Sequence, residues 1–402
     1  MTRRLPWFGV SLATLLLLGC SRPAPPARIT GQLALPAGSG EPNLSLTADG
    51  APVLTWLEPV NEARHALRLA VRRGGTWSEP RTILESDSFF VNWADFPSLI
   101  ALSNGAWIVH WLARVPGGTY AYHVRLAISR DEGQTWSAPL TAHRDRTAQE
   151  HGFVAMAPWD DSTAALVWLD GREMKAAANP DHDSEGDMTL RFTTVSAGGR
   201  LGDEAVLDRR TCECCQTAMT RAASGPVVAY RDRSAEEIRD IAVTRLVDGA
   251  WTAPVHVGSD NWHFPGCPVN GPALAARGDT VAIAWYTAPE GAPRVSVAFS
   301  TDGGASWSAP QRVDEGRPQG RVDVELLGAE AVVTWLEAAR TPVEVRARRM
   351  RMSGPPGEAW RVSATSEARS SGFPRVLRLP GELLYAWTGP DGVRVAAQPL
   401  ED

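Results

Sequence analysis

The chain has 402 residues and a formal charge of −6, or −8 once residues 1–20 and their two arginines are set aside. A mildly acidic balance with no basic block argues against nucleic acid as a partner, because a phosphate backbone is held by clustered Lys and Arg. The length permits two or three domains, although all-β architectures of this size often form one.

The N-terminus bears on the compartment. Arg3 and Arg4 precede an apolar run from Trp7 to Leu18, which is short for a membrane span and suits a secretory signal. The run ends in Leu17-Leu18-Gly19-Cys20, which resembles the lipobox of bacterial lipoproteins. That resemblance implies cleavage before Cys20, lipidation of Cys20 and a stable membrane anchor, each buried CH₂ contributing about 0.8 kcal/mol. Ser21 in place of an Asp implies the outer membrane, so the expected address is the cell envelope. The expected organisation is a signal over 1–20, a stiff Pro-rich tether over 21–28 and one domain over 29–402.

Strand-like runs ending in an aromatic then recur: Val53–Trp56, Trp107–Trp111, Ala164–Trp168, Pro226–Tyr230, Thr280–Trp285, Ala331–Trp335 and Leu383–Trp387. Their closing aromatics are 55, 57, 62, 55, 50 and 52 residues apart, too close for separate domains and too even for chance. Each copy has one anatomy. A first strand opens near a Phe-Pro, as at Phe96-Pro97 and Phe373-Pro374. The aromatic-ended strand follows after a polar turn, then an alternating third strand such as Val124–Ile128, then a Trp-led fourth such as Trp136–Pro139. Alternation broken by Gly, Asn and Asp marks an antiparallel meander, and four strands per repeat predict the blade of a β-propeller. The fold class is therefore all-β, a single propeller of seven blades, or six if one unit is a decoration. The last copy lacks a fourth strand after Val393–Leu400, and Ile29–Leu35 is expected to supply it and close the ring.

Two turns carry a more specific signal. Ser129-Arg130-Asp131-Glu132-Gly133-Gln134-Thr135-Trp136 and Ser300-Thr301-Asp302-Gly303-Gly304-Ala305-Ser306-Trp307 both fit S/T-x-D-x-G-x-T/S-W. This is the Asp-box, and on it the chain resembles the sialidase-like propellers. The resemblance covers most of the mature chain and implies boxes on the outer rim, remote from the active centre. For a sialidase it also implies three arginines on the substrate carboxylate, a Tyr–Glu nucleophile pair and an Asp acid/base. The Arg-Ile-Pro motif of that family is absent. Tyr230, Tyr286 and Tyr385 sit at second-strand ends, and Arg172, Arg231 and Arg321 are within reach of a central pocket, with nothing marking them as the triad.

First strands line a propeller's channel, so the segments leading into them form one mouth. Here these are Asn92–Asp95, Glu150–Phe153, Cys212–Gln216, Gly266–Asn270, Gln319–Asp323 and Gly372–Pro374. Apart from Cys20, every cysteine (Cys212, Cys214, Cys215 and Cys267) falls in two of them, in consecutive blades. Four thiols in an oxidising compartment read as two disulfides, one of them able to staple two blades. They also read as a Cu(I) or Zn(II) site with His151 or His263 nearby, or as redox-active thiols. The leading expectation is a ligand, a glycan or another small molecule, held at the mouth by Asp95, His151, Arg231, Asn270, Arg321 and Asp323. The alternatives are a glycoside hydrolase, with Asp95, Glu150, Asp323 and Glu325 as candidate carboxyls at about 5–9.5 Å separation, and a metal-handling propeller. No catalytic residue is assigned. Trp93 and Trp262 lie off the repeat pattern and are expected near the mouth, and the acidic stretch Asn179–Asp187 reads as a solvated loop.

Overall fold

A computed structural model describes residues 28–29, 35–174, 186–338 and 342–400. The segments expected to be a signal and a tether, up to residue 27, and most of the acidic loop lie outside these. Asp187, at the end of that loop, is paired with Arg210 at 2.9 Å.

Seven antiparallel sheets are present, one per repeat. The second strands are Pro52–Pro59, Trp107–Arg114, Thr163–Asp170, Gly225–Arg231, Thr280–Thr287, Glu330–Glu337 and Glu382–Gly389, each containing one of the aromatic-ended runs. The first strands are Gly40–Leu46, Ser98–Ala101, His151–Asp160, Ala218–Ala222, Ala273–Arg277, Pro318–Leu327 and Arg375–Leu379. Each of these touches the first strand of the next blade, and Gly40–Leu46 touches Arg375–Leu379, so they form a closed inner ring. We number the blades 1 to 7 in chain order and call the face where first strands begin the mouth.

Closure is made by the chain's own ends. Arg28 pairs with Ala397 and Ile29 with Ala396, on the outside of the strand Gly392–Pro399. The expected closing segment thus begins one residue earlier, and residues 30–34 lie outside the described chain. Fourth strands are shorter than expected: in blade 2 the strand is Leu140–Thr141, beyond Pro139, and in blade 5 Gln311–Arg312, beyond Pro310. Proline has no N–H for the ladder, so pairing starts only after it.

What holds the blades together is a set of seven apolar cores, one at each junction. Trp56, Trp107, Trp168, Trp285 and Trp335 are wholly buried in them, and truncating one to Ala would cost about 3–5 kcal/mol. The two signature turns sit on the face opposite the mouth, where third strands end. Asp302 accepts hydrogen bonds from the Ser306 backbone N–H at 2.9 Å and the Ser300 hydroxyl at 2.7 Å. Asp131 does the same with Thr135 N–H at 2.9 Å and Ser129 at 2.7 Å. Trp136 and Trp307 pack against the cores between blades 1 and 2 and between blades 4 and 5.

Candidate functional site

The channel holds a cavity of about 210 Å³ lined by residues from all seven blades, Asp95, Phe153, Gln216, Asp323 and Arg375 among them. Pockets for drug-sized ligands are typically roughly 300–1,000 Å³, so this cavity is smaller than such a pocket.

At the mouth, successive blades are clasped by side chains that reach backbone groups of another blade. Asp95 accepts from the Phe153 N–H at 2.7 Å, and Thr217 donates to the Phe153 carbonyl at 2.6 Å. Gln216 accepts from Gly271 N–H at 2.9 Å, Asn270 from Arg321 N–H at 2.7 Å, and Asp323 from Val376 N–H at 2.9 Å. Close approach dictates some of the sequence here: a Cβ on Gly320 would fall 2.2 Å from Asn270 Oδ1, and one on Gly152 2.1 Å from Asp95 Oδ2. The next residues, Phe153 and Arg321, take φ of +53° and +57°, a conformation costing a side-chain-bearing residue about 1–3 kcal/mol and characteristic of constrained sites.

Arg231 and Arg321 are both buried behind the off-pattern tryptophans. Arg231 lies 4.9 Å from the Trp262 ring centre, and Arg321 4.6 Å from that of Trp93. Arg231 donates to the carbonyls of Arg239, Asn270 and Tyr286 at 2.6–3.0 Å. Arg321 donates to the Gly372 carbonyl at 3.2 Å, and burial lowers its guanidinium to about 10. The single arginine in the channel lining is Arg375, 3.4 Å from Asp323. Arg172 is paired with Asp170 and Glu204 at 2.6 and 3.1 Å.

The cysteines do converge. Cys212, Cys214 and Cys215 bring their sulfurs within 4.8 Å of one another, and Cys267, from the next blade, is a hydrogen-bond neighbour of Cys214. All four are free thiols; Cys212 and Cys215 are buried and Cys267 is exposed. Cys212 Sγ and Cys215 Sγ stand 3.2 Å apart, against about 2.05 Å for a disulfide. Burial pushes Cys212 up to about 12. Burial also opposes ionisation of Cys215, but hydrogen bonds from Cys212 and Cys214 and the charge of Arg231 outweigh it and hold that thiol well below its ordinary range. Within the cluster, those hydrogen bonds and the Arg231 charge favour the ionised form of Cys215. Arg239, paired with Glu213 and Glu237 at 2.8 Å each, is a second cation beside Cys212.

His151 is elsewhere. It is buried at the junction of blades 2 and 3, against His123 and His143, two residues that the sequence reading did not single out. Beside it the Tyr122 hydroxyl donates to Glu150 at 2.6 Å. Burial raises Glu150 to about 7 and Asp95 well above the usual carboxylate range. His263 makes an isolated bridge with Ile238 in blade 4.

Neither a family profile nor a curated protein matches the sequence. Solved structures do. A protein of unknown function from Dyadobacter fermentans aligns over 94% of this chain and 99% of its own, with a TM-score of 0.51 and 14% identity. The α-L-arabinofuranosidase Arb93A of Fusarium graminearum aligns over 94% and 98%, at 0.50 and 13%. The NanB sialidase of Streptococcus pneumoniae aligns over 88% and 83%, at 0.49 and 10%. Identities this low speak to architecture and not to chemistry. The chain shares its seven-bladed β-propeller fold with the first two of these structures.

Proposed function

We propose that this protein is an exported, lipid-anchored binding propeller whose ligand is a thiophilic metal ion, Cu(I) before Zn(II), held at the mouth by Cys212, Cys214, Cys215 and Cys267. The observation that carries this reading is the meeting of thiols from two consecutive blades with no sulfur pair at bonding distance. Soft thiolate donors select Cu(I) and Zn(II), and Arg231 and Arg239 offset the charge that several thiolates accumulate. Asp95, Asn270, Arg321 and Asp323 act in this reading as the frame, since each clasps one blade to another. The test is elemental analysis with a free-thiol count on protein purified from an oxidising compartment. One equivalent of copper or zinc, lost on Cys267→Ser, is the expected result. No metal and no free thiols would replace the reading with two disulfides, Cys212–Cys215 and Cys214–Cys267 being the neighbouring pairs. The anchor is tested separately: Cys20→Ala should release the protein from the membrane fraction.

A second reading, a glycoside-acting enzyme, is favoured by the Tyr122–Glu150 hydrogen bond with Asp95 alongside. Those are the residue types that the sialidase resemblance implies. Against it, Tyr122 is wholly buried, and a nucleophilic phenol has to meet the sugar. Turnover of a sialoside and arabinoside panel, abolished by Tyr122→Phe, would establish this reading; inactivity across the panel would end it for those substrates.

A further inference from the structure

We infer that a second metal site, separate from the cysteines and independent of the reading above, lies between blades 2 and 3 and takes a borderline divalent ion, Zn(II) or Cu(II), on His123, His143, His151 and Asp145. His123 belongs to the third strand of blade 2, Tyr122–Ser129; His143 follows its outer strand; His151 opens the first strand of blade 3. One ring nitrogen from each lies within 4.8 Å of the others. His143 and His151 are 0% exposed and His123 8%. The rings of His143 and His151 lie parallel, 3.9 Å apart, and His123 meets them edge-on at 4.9 and 5.1 Å.

The hydrogen bonds fix where the protons are. His143 Nδ1 is 3.0 Å from the Asp145 carbonyl, and His151 Nδ1 is 3.0 and 3.2 Å from the carbonyls of Gln149 and Tyr122. Carbonyl oxygens only accept, so both Nδ1 atoms carry hydrogen and donate it. That places the available lone pair on Nε2 in both rings. A bond from Nδ1–H to a backbone carbonyl is the outer-shell contact that orients a metal-binding histidine and fixes its tautomer.

Those lone pairs have too few partners. His143 Nε2 and His123 Nδ1 are buried with no hydrogen bond at all, and a buried orphan of this kind costs about 1–3 kcal/mol. His151 Nε2 faces the Asp145 carboxylate at 2.9 Å and that of Asp170 at 3.8 Å. A lone pair against a carboxylate attracts only if a cation lies between them. A proton on His151 would meet that demand for one ring and leave the other two orphans. A divalent ion would satisfy all three imidazoles, with one of the two parallel rings turned so that its in-plane lone pair meets the others and with Asp145 drawn in from the His151 side. Asp170 is already held by Arg172 at 2.6 Å and Trp168 Nε1 at 2.7 Å, so it is an outer partner and not a ligand. Three imidazoles and one carboxylate are a tetrahedral set for a borderline ion.

The test is Zn(II) and Co(II) titration of the protein carrying Cys212→Ser, Cys214→Ser, Cys215→Ser and Cys267→Ser. Calorimetry should give one ion per chain, with visible Co(II) bands of tetrahedral type. His143→Gln should weaken binding by at least ~100-fold and His123→Gln by about 10–100-fold, both variants melting as cooperatively as their parent in EDTA. Should the cysteine-free protein not fold, the wild type serves. Its sulfur-to-cobalt charge-transfer bands arise at the cysteines alone, and His143→Gln should remove one ion while leaving them intact. No stoichiometric ion in the parent, or an ion whose affinity is unmoved by both His143→Gln and His123→Gln, overturns the inference.

Discussion

Carboxylates on the two faces of this propeller shift in opposite directions. In the turn Ser129–Trp136, hydrogen bonds from the Thr135 side chain and backbone draw Asp131 down to about 2. At the mouth, burial drives Glu150 up to about 7 and holds Asp95 well above the usual carboxylate range. The turn's charge is solvated and satisfied by its own loop, so it serves local geometry. The mouth holds polar groups away from water, bonded across blade junctions, with strained backbone at Phe153 and Arg321. Arrangements of that kind persist where the surrounding structure over-determines them, and they collect at functional sites. The mouth is thus where the fold carries cost, and the opposite face is where it carries regularity.

Four measurements bear on that contrast. Arg231→Met should be the most damaging, because it leaves buried carbonyls of Arg239, Asn270 and Tyr286 without donors; urea unfolding should show a loss of about 3–5 kcal/mol. A smaller value would mean that the clasps are decorative. Cys215→Ser removes the thiol whose ionised form its neighbours favour and should weaken Cu(I) binding, read by chelator competition, by at least ~100-fold, about 2.7 kcal/mol. Glu150→Gln addresses pH. With its pKa raised from 4.5 to about 7, the native state holds the extra proton, so this group's stabilisation is complete below pH 4.5 and is lost as pH climbs through 7. The variant should flatten that decline and, allowing for partial exposure, gain on the order of 1–2 kcal/mol at pH 8 relative to wild type. Asp302→Ala, on the opposite face, should lower the melting midpoint by no more than about 2 °C and leave metal binding unchanged.

The architecture was legible because it repeats. A strand of period two ending in Trp or Tyr is a weak signal once and a strong one seven times, and the unpaired edge of the last copy pointed to the chain's own start. The cysteine convergence was legible for the same reason: Cys212–Cys215 and Cys267 occupy corresponding positions of consecutive blades. The role of Asn270 and Asp323 was not legible. Each bonds a backbone N–H across a blade junction, and sequence does not say which amide faces a given side chain. Trp93 and Trp262 were expected near the mouth, but that each covers one buried arginine depends on packing. The histidine cluster left only a faint trace, three of eight histidines between positions 123 and 151. His123 comes from a third strand and the others from loop ends, so no fixed spacing relates them.

One feature of the ring closure fixes a direction in space. Arg28 meets Ala397 near the far end of a strand that starts at the mouth. The polypeptide therefore reaches the propeller from behind, on the face that bears the two signature turns. A lipid carried at Cys20 would hang on a leash of eight residues, extending at most about 29 Å. It would hold the back of the disc to the bilayer and leave the mouth on the side away from it.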